Sequence, residues 1–425
     1  MPTPSTGFAS AFLPPLSPEL VPGLQRAIAE KGYATPTAIQ LAALPAILQG
    51  RDVVASAQTG SGKTAAFALP MLQSLVDAPL TKTRIVRGLV LVPTRELAAQ
   101  VGESLLALGK YLPQLPKVTV VFGGVSMNPQ MMGLRTGADI VVATPGRLID
   151  LVEHNAVKLG EVQMLVLDEA DRLLDLGFGE ELKRILALLP AKRQNLFFSA
   201  TFPPATEALA ASMLHEPLRV EVRSEDEVKL EITQRAIEVD PGKRTQLLRH
   251  LVQTEKWSRV LVFVATKHAS EIVADKLRKV DIAAEPFHGE LSQGKRKQVL
   301  MDFKAKTVQV VVATDVAARG LDIAQLPVVV NYDLPRSTED YTHRIGRTAR
   351  AGEAGIAINF VSATTEAHFR LIEKRQRIKV AREQVAGFEP VELAPVNAAD
   401  PLGTGGVKGK RPSKKDKLRA VGNYQ

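Results

Sequence analysis

Residues 53–72 read VVASAQTGSGKTAAFALPML: an apolar run, a glycine-rich turn and then a helical pattern. Small and β-branched residues in the run suit a strand covered on both faces. Gly60 and Gly62 permit a tight backbone whose N–H groups can face a bound anion, and the helix that follows presents the positive end of its dipole. Lys63 is then placed to reach the β- and γ-phosphates of a nucleotide, and the Thr64 hydroxyl to ligate Mg2+. The phosphate-loop pattern begins with glycine, and Ala57 stands at that position here. A glycine-rich helix entry with no ligand is the bland alternative, and the strand before it argues against that reading.

Outward from this stretch the same design repeats. Apolar runs GLVLVPT, VTVVFGG, DIVVATPGR, MLVLDEA and NLFFSAT alternate with amphipathic patterns such as ELAAQVGESLLALGKYL and EELKRILALL. Continuous apolar strands alternating with helices predict an α/β fold with a parallel sheet covered on both faces. The pattern breaks at LHEPLRVEVRSEDEVKLEIT and restarts with RVLVFVATK, VQVVVATDVAARGLDI, VVVNYDLP and GIAINFVSA. DIVVATPGR at Asp139–Arg147 is echoed by QVVVATDVA at Gln309–Ala317, as two similar α/β domains would require. The expected organisation is an N-terminal segment over 1–19, a first domain over 20–216, a linker over 217–230, a second domain over 231–375 and a C-terminal extension over 376–425. NAADPLGTGGVKGKRPSKKDK, within that extension, reads as disordered.

MLVLDEADRLL at Met164–Leu174 crowds Asp168, Glu169 and Asp171 directly after a buried strand. Crowded carboxylates repel one another and are costly to bury without a partner. Given a phosphate loop, the carboxylate at this strand end serves as a second Mg2+ anchor, Asp168, and Glu169 can accept the proton of an attacking water. Without that loop, acids at a helix N-terminus would be the preferred explanation.

Composition bounds the rest. The chain has 425 residues, enough for two domains and a tail, and 45% are hydrophobic, enough for a core in each. No cysteine is present, which excludes disulfides, thiolate metal sites and cysteine nucleophiles and suits a cytoplasmic protein. MPTPSTGFASAFLPP lacks the basic start of a secretory signal, and no apolar run approaches membrane-spanning length. Net charge is +9, and residues 403–425 alone hold seven basic residues against Asp416, or +6 of that total. Such a tail fits a polyanion partner, with a merely solubilising terminus as the alternative.

The series of motifs resembles that of the DEAD-box ATP-dependent RNA helicases. GYATPTAIQ (Gly32–Gln40) is similar to the family's adenine-reading segment, AQTGSGKT (Ala57–Thr64) to its phosphate loop, and Asp168–Asp171 to its signature tetrad. PTRELAAQ (Pro93–Gln100), the pair Gly123–Gly124 and TPGR (Thr144–Arg147) resemble its RNA-contacting segments. SAT (Ser199–Thr201), LVFVATK, QGKR (Gln293–Arg296), ATDVAARGLDI (Ala313–Ile323) and HRIGRTAR (His343–Arg350) complete the order, over roughly residues 20–375. Ala349 stands where the family usually has glycine, and Phe8 and Phe12 compete for an upstream aromatic that stacks near adenine.

The resemblance implies two tandem RecA-like domains and an RNA-stimulated ATPase that uses ATP and Mg2+ as a monomer. It implies nucleotide contacts from Tyr33, Thr35, Gln40, Ala57, Gln58, Thr59, Gly60, Ser61, Gly62, Lys63, Thr64 and Asp322. Asp322 would hold the ribose, and Arg347 and Arg350 the γ-phosphate, for which an always-charged, bidentate guanidinium is suited. Asp171, Ser199, Thr201 and His343 would couple the ATP site to RNA. Arg95, Gly124, Thr144, Arg147, Thr266, Thr314 and Arg319 would contact the RNA backbone, giving weak sequence preference. Aromatic residues make up only 5% of the chain, which argues against a base-stacking platform. Two other classes compete: a DNA-directed translocase, opposed by the adenine-reading segment and the acidic tetrad, and a non-catalytic RNA clamp, opposed by intact Lys63, Glu169, Arg347 and Arg350.

Overall fold

The computed structural model describes residues 20–56, 61–77, 83–221, 232–318, 326–348 and 355–392. Phe8, Phe12, Ala57, Gln58, Thr59, Gly60, Arg319, Asp322, Ala349, Arg350 and the basic tail lie outside the described residues. The chain divides into two compact units, each built on its own seven-stranded sheet.

The first sheet comprises β1 (Val53–Ser56), β2 (Gly88–Leu91), β3 (Val118–Val121), β4 (Ile140–Ala143), β5 (Met164–Leu167), β6 (Gln194–Ser199) and β7 (Leu218–Glu221). They lie in the order β3-β4-β2-β5-β6-β1-β7, and every pairing is parallel. A strand's side chains alternate between faces, so a strand buried on both sides feeds two cores. Here Val90, Val142, Val166, Leu196 and Phe198 join one buried cluster. Their neighbours Leu89, Leu91, Val141, Leu165, Leu167 and Phe197 join the other. The helices α1 (Pro22–Glu30), α2 (Ala38–Leu48), α3 (Lys63–Asp77) and α4 (Arg95–Gly109) supply Leu24, Ile39, Phe67 and Val101 to the first cluster. The helices α5 (Asn128–Leu134), α6 (Pro145–Glu153), α7 (Ala170–Asp175), α8 (Gly179–Leu188) and α9 (Pro204–Met213) supply Leu134, Leu148, Leu173, Leu182 and Met213 to the second.

The second sheet comprises β8 (Ile232–Glu238), β9 (Val260–Val264), β10 (Ala284–Phe287), β11 (Val310–Thr314), β12 (Val328–Asn331), β13 (Gly355–Val361) and β14 (Arg382–Glu383). Its order, β10-β11-β9-β12-β13-β8-β14, again all parallel, repeats that of the first sheet strand for strand. The echoed sequences DIVVAT and QVVVAT therefore occupy the same place, the fourth strand of each sheet. The helices of this half are α10 (Arg244–Thr254), α11 (Lys267–Arg278), α12 (Gln293–Lys304), α13 (Asp315–Ala318), α14 (Thr338–Ile345) and α15 (Glu366–Gln376).

Two stretches differ from the sequence expectation. Residues 218–221, assigned above to the linker, form β7 and pair with β1. Only Val220 of Leu218–Glu221 is buried, flanked by exposed Arg219 and Glu221, so the strand carries little apolar signal. The extension, whose sequence carries no strand pattern, adds β14 to the second sheet. Charge holds it there: Arg382 pairs with Glu366 at 3.0 Å and Glu373 at 2.8 Å, with its guanidinium over the Phe369 ring. Beyond it, Phe388 packs against His250 of α10. The Asp240 carboxylate, in the loop between β8 and α10, accepts from the backbone N–H groups of Val391 and Glu392.

At the opposite end of the first sheet, Asp52 ties three segments. Its carboxylate accepts from Asn195 N at 2.7 Å, Asn195 Nδ2 at 3.2 Å and His215 N at 2.9 Å. Asp52→Ala strands those donors in a buried setting and should cost about 2–3 kcal/mol. The check is a lower urea midpoint for the first unit's unfolding transition, read from a probe placed in that unit.

Candidate functional site

Because all strands of the first sheet run the same way, their C-terminal ends share one edge, where ligands bind in open α/β sheets. The strand order then sorts the functional candidates into two neighbouring groups. Lys63 follows β1, Asp168 and Glu169 follow β5, and Ser199 ends β6, on the contiguous strands β5-β6-β1. Arg95 follows β2, Gly124 follows β3, and Thr144 and Arg147 follow β4, on the contiguous strands β3-β4-β2.

In the first group Lys63 Nζ lies 3.9 Å from Asp168 Oδ1, and both side chains are buried. Burial pushes the Asp168 carboxyl up to about 6; Lys63 partly offsets this, and the neighbouring charges of Glu169 and Asp171 add to it. A carboxylate this costly to ionise unaided, beside Lys63 and the Thr64 that follows, is one that a divalent cation would complement. Among the described residues no three acidic or histidine ligands cluster. Mg2+ is commonly held by one or two carboxylates together with substrate phosphates, and Asp168 is a buried carboxylate of that kind. Glu169 sits at φ 54°, ψ 52°, a left-handed conformation uncommon for glutamate and found preferentially where a site requires it. Its carboxylate is 3.3 Å from the Arg172 guanidinium, and both side chains are buried. The sequence reading passed over Arg172, whose only signal was a position three residues beyond Glu169.

Asp171 is joined to Ser199 and Thr201. Ser199 Oγ accepts from Asp171 N at 3.2 Å and donates to the Thr201 carbonyl at 2.7 Å. Thr201 donates to Asp171 Oδ2 through its N–H at 3.0 Å and its hydroxyl at 2.7 Å. One carboxylate thus fastens the end of β6 to the start of α7.

Gln40 has a role that the sequence did not reveal. It is 5% exposed, so it is no ordinary surface glutamine. Its Oε1 accepts from Thr37 N at 2.9 Å and its Nε2 donates to the Gly62 carbonyl at 3.1 Å. Gly62 has φ +94°, and a Cβ there would stand 2.6 Å from Gln40 Nε2 and 2.8 Å from Thr37 Oγ1. Glycine is therefore required, and the segment expected to read adenine is locked onto the phosphate loop. Tyr33 and Thr35 are exposed, and Ser61 and Thr64 are half-buried.

In the second group the Thr94 hydroxyl caps α4 by accepting from Leu97 N at 3.3 Å, which sets Arg95 at the helix start. Thr144 Oγ1 accepts from Gly123 N at 3.3 Å, and Arg147 Nη2 donates to the Val125 carbonyl at 2.8 Å. Arg147 Nη1 is buried without a hydrogen-bond partner. The second unit repeats the arrangement by itself: Thr266 caps α11 after β9, accepting from Ala269 N at 3.1 Å, and Thr314 ends the adjacent β11. His343, half-buried, lies in the last turn of α14, and Arg347, buried, lies just beyond its end.

A duplicated parallel α/β fold with a buried lysine after β1 beside a buried strand-end aspartate is the arrangement of the phosphate-loop nucleotide-binding class. Comparison with known proteins narrows this. Residues 37–209 match the family model DEAD/DEAH box helicase, and residues 242–352 match Helicase conserved C-terminal domain. The chain is 44% identical to ATP-dependent RNA helicase DeaD of Mycobacterium tuberculosis, over 88% of this chain and 65% of that protein. It is 40% identical to DEAD-box ATP-dependent RNA helicase CshA of Bacillus cereus, over 84% of this chain and 67% of that protein. Among solved structures, S. cerevisiae Dbp5 bound to RNA and ADP BeF3 aligns with a TM-score of 0.76 at 30% identity, over 86% of this chain and 94% of that one. The chain belongs to the DEAD-box RNA helicase family, and it spans about two thirds of the length of the bacterial relatives it matches.

Gly124 tests the second group directly. It has φ +75°, and a Cβ there would fall 1.9 Å from Arg95 Nη2. Gly124→Ala should cost about 1–2 kcal/mol for the left-handed backbone. It should also turn the Arg95 side chain away, visible in a crystal structure of the variant together with a lowered Tm.

Proposed function

We propose that the chain is an RNA-stimulated ATPase that seizes one RNA strand and locally displaces its partner, or remodels an RNA–protein complex. The observation that carries this reading is the Asp171–Ser199–Thr201 linkage on the same sheet edge as the Lys63–Asp168 pair. It gives a nucleotide bound at β1 and β5 a rigid connection to the loop that follows β6.

Lys63 would neutralise the β/γ-phosphates, while Asp168 and Thr64 would hold Mg2+. When bound, that ion would supply charge stabilisation to the transferring phosphoryl group. Glu169 would take the proton of the attacking water. Gln40 would read adenine by exchanging one of its internal hydrogen bonds for the base edge, with Tyr33 and Thr35 nearby in sequence. The parts given to Asp322, Arg347 and Arg350 rest on their motifs, as does the linking part of His343. Arg95, Gly124, Thr144, Arg147, Thr266, Thr314 and Arg319 would contact sugar and phosphate rather than bases. The cysteine-free composition supports a cytoplasmic setting. No helix among the described residues is long and apolar enough to cross a membrane.

Phosphate release measured with a saturating single-stranded RNA and with DNA of the same sequence tests the proposal. Stimulation by RNA alone supports it; equal stimulation by DNA would favour a DNA-directed translocase, and no turnover a passive clamp. Glu169→Gln should keep nucleotide binding but slow hydrolysis by about 10²-fold or more, the scale of a lost general base. Normal turnover in that variant would move the base elsewhere.

Removing residues 403–425, which hold +6 of the +9 net charge and none of the catalytic motifs, should weaken RNA binding with little change in the maximal ATPase rate. Each phosphate neutralised on a single strand contributes about 0.7 to the slope of log affinity against log salt, so truncation should lower the slope by roughly 3–5. RNA affinities measured at several salt concentrations, with and without the tail, provide the check; equal slopes would mean that the tail touches no RNA.

A further inference from the structure

Among the described residues β3 is an outer strand of the first sheet, paired with β4 alone. Its last residue, Val121, turns its carbonyl toward that neighbour and accepts from Thr144 N at 3.1 Å. Backbone groups of successive strand residues face opposite sides, so those of Phe122 face the open edge. Gln130, in the first turn of α5, fills that place. Its Oε1 accepts from Phe122 N at 3.0 Å, and its Nε2 donates to the Phe122 carbonyl at 3.1 Å. A side-chain amide carries donor and acceptor in the pattern of a peptide group, so one glutamine stands in for a neighbouring strand.

What Gln130 holds leads directly into a candidate RNA contact. Phe122 is anchored by its ring, which packs against the first buried cluster. From it runs the loop of Gly123, Gly124, Val125 and Ser126, with Gly124 exposed at φ +75° and the Arg95 side chain against it. On the side of β4 and α6, Thr144 holds Gly123 and Arg147 holds Val125. On the open side the loop has Gln130, whose Nε2 also lies 3.4 Å from the Ser126 carbonyl. One uncharged, half-buried amide therefore closes both ends of the loop, and no part in the proposed reaction has been given to it. A loop fixed beforehand loses less entropy when a ligand settles on it.

We propose that Gln130 is a positioning residue for RNA: its amide holds the loop from Gly123 to Ser126 in the shape in which Gly124 meets the sugar-phosphate backbone. This rests on the RNA-stimulated ATPase reading above. The absence of charge gives the role a signature. Each phosphate neutralised on a single strand contributes about 0.7 to the slope of log affinity against log salt, and Gln130 neutralises none. Its loss should weaken RNA binding by the same factor at every salt concentration and leave the slope unchanged.

The test compares the full chain with Gln130→Met, which keeps the length of the side chain and removes both bonds to Phe122. Two quantities are read: affinity for a single-stranded polyuridine RNA at several salt concentrations, and steady-state ATPase against RNA concentration. Gln376→Met serves as a control, because the Gln376 amide donates to Thr342 Oγ1 at 2.7 Å in the second unit and touches none of these residues. We expect Gln130→Met to weaken RNA binding by about tenfold, as loss of one or two hydrogen bonds would, with an unchanged salt slope. The KM for RNA should rise to match while kcat at saturating RNA and turnover without RNA stay as in the wild type, and the control should leave RNA affinity alone. Unchanged affinity in Gln130→Met overturns the inference, as does an equal loss in the control. A slope lowered by about 0.7 or more also overturns it, because arginines would then have been displaced and the glutamine would be part of the general packing. If Gln130→Met does not fold, Gln130→Asn, which sets the amide one methylene short of Phe122, carries the same outcomes. Absence of RNA stimulation in the wild type would overturn the function reading itself, and is seen before any variant is compared.

Discussion

Parallelism is the constraint on which the rest depends. With every strand of a sheet running the same way, each delivers its last residue to a single edge, and the helices must cover both faces to return the chain. The sequence meets that demand with strands that are apolar at nearly every position, such as MLVL, IVVA and VVVN. Side chains with no place in such strands, charged and hydroxylic, then collect where the strands stop. Function at the edge is a product of how the core is filled.

Strand order adds a division of labour that follows from topology alone. The first sheet places β5, β6 and β1 side by side, and those strands end in the buried lysine and carboxylates. It places β3, β4 and β2 side by side, and those end in glycine, threonine and arginine near exposed loops. The two groups meet where β2 pairs with β5. Asp171 sits just past β5, so a shift in its bonds to Ser199 and Thr201 is felt by backbone rather than by a single side chain. Cores packed this closely move between discrete arrangements rather than deforming smoothly.

Much of this was legible in the sequence because its cues are local. A strand, a glycine turn and a lysine lie within twenty residues, and so do a strand and its terminal acids. Sites of that kind survive reading along the chain. What escaped depends on contacts between distant residues. Gln40 bonds to Gly62 across 22 residues, and nothing in GYATPTAIQ states that its amide is already occupied. Arg344 pairs with Asp315 across 29 residues, and in HRIGRTAR the eye goes to the other arginines. The strand at Leu218–Glu221 was taken for linker because an edge strand with one buried residue has no periodicity to show. The strand in the extension escaped because ion pairs, rather than an apolar face, hold Arg382.

The repeated strand order gives the loop after β8 a wider meaning. In the first sheet the equivalent connection, after β1, leads into Lys63 at the start of α3, the positive end of the helix dipole. In the second, Asp240 puts a carboxylate at that place and uses it to grip the backbone of residues 391 and 392. The carboxylate at that place is the chain's own, and what it holds is the chain's own backbone. Two copies of one architecture thus put the same position to different work: one leads into a buried lysine, the other is a clamp that secures the strap.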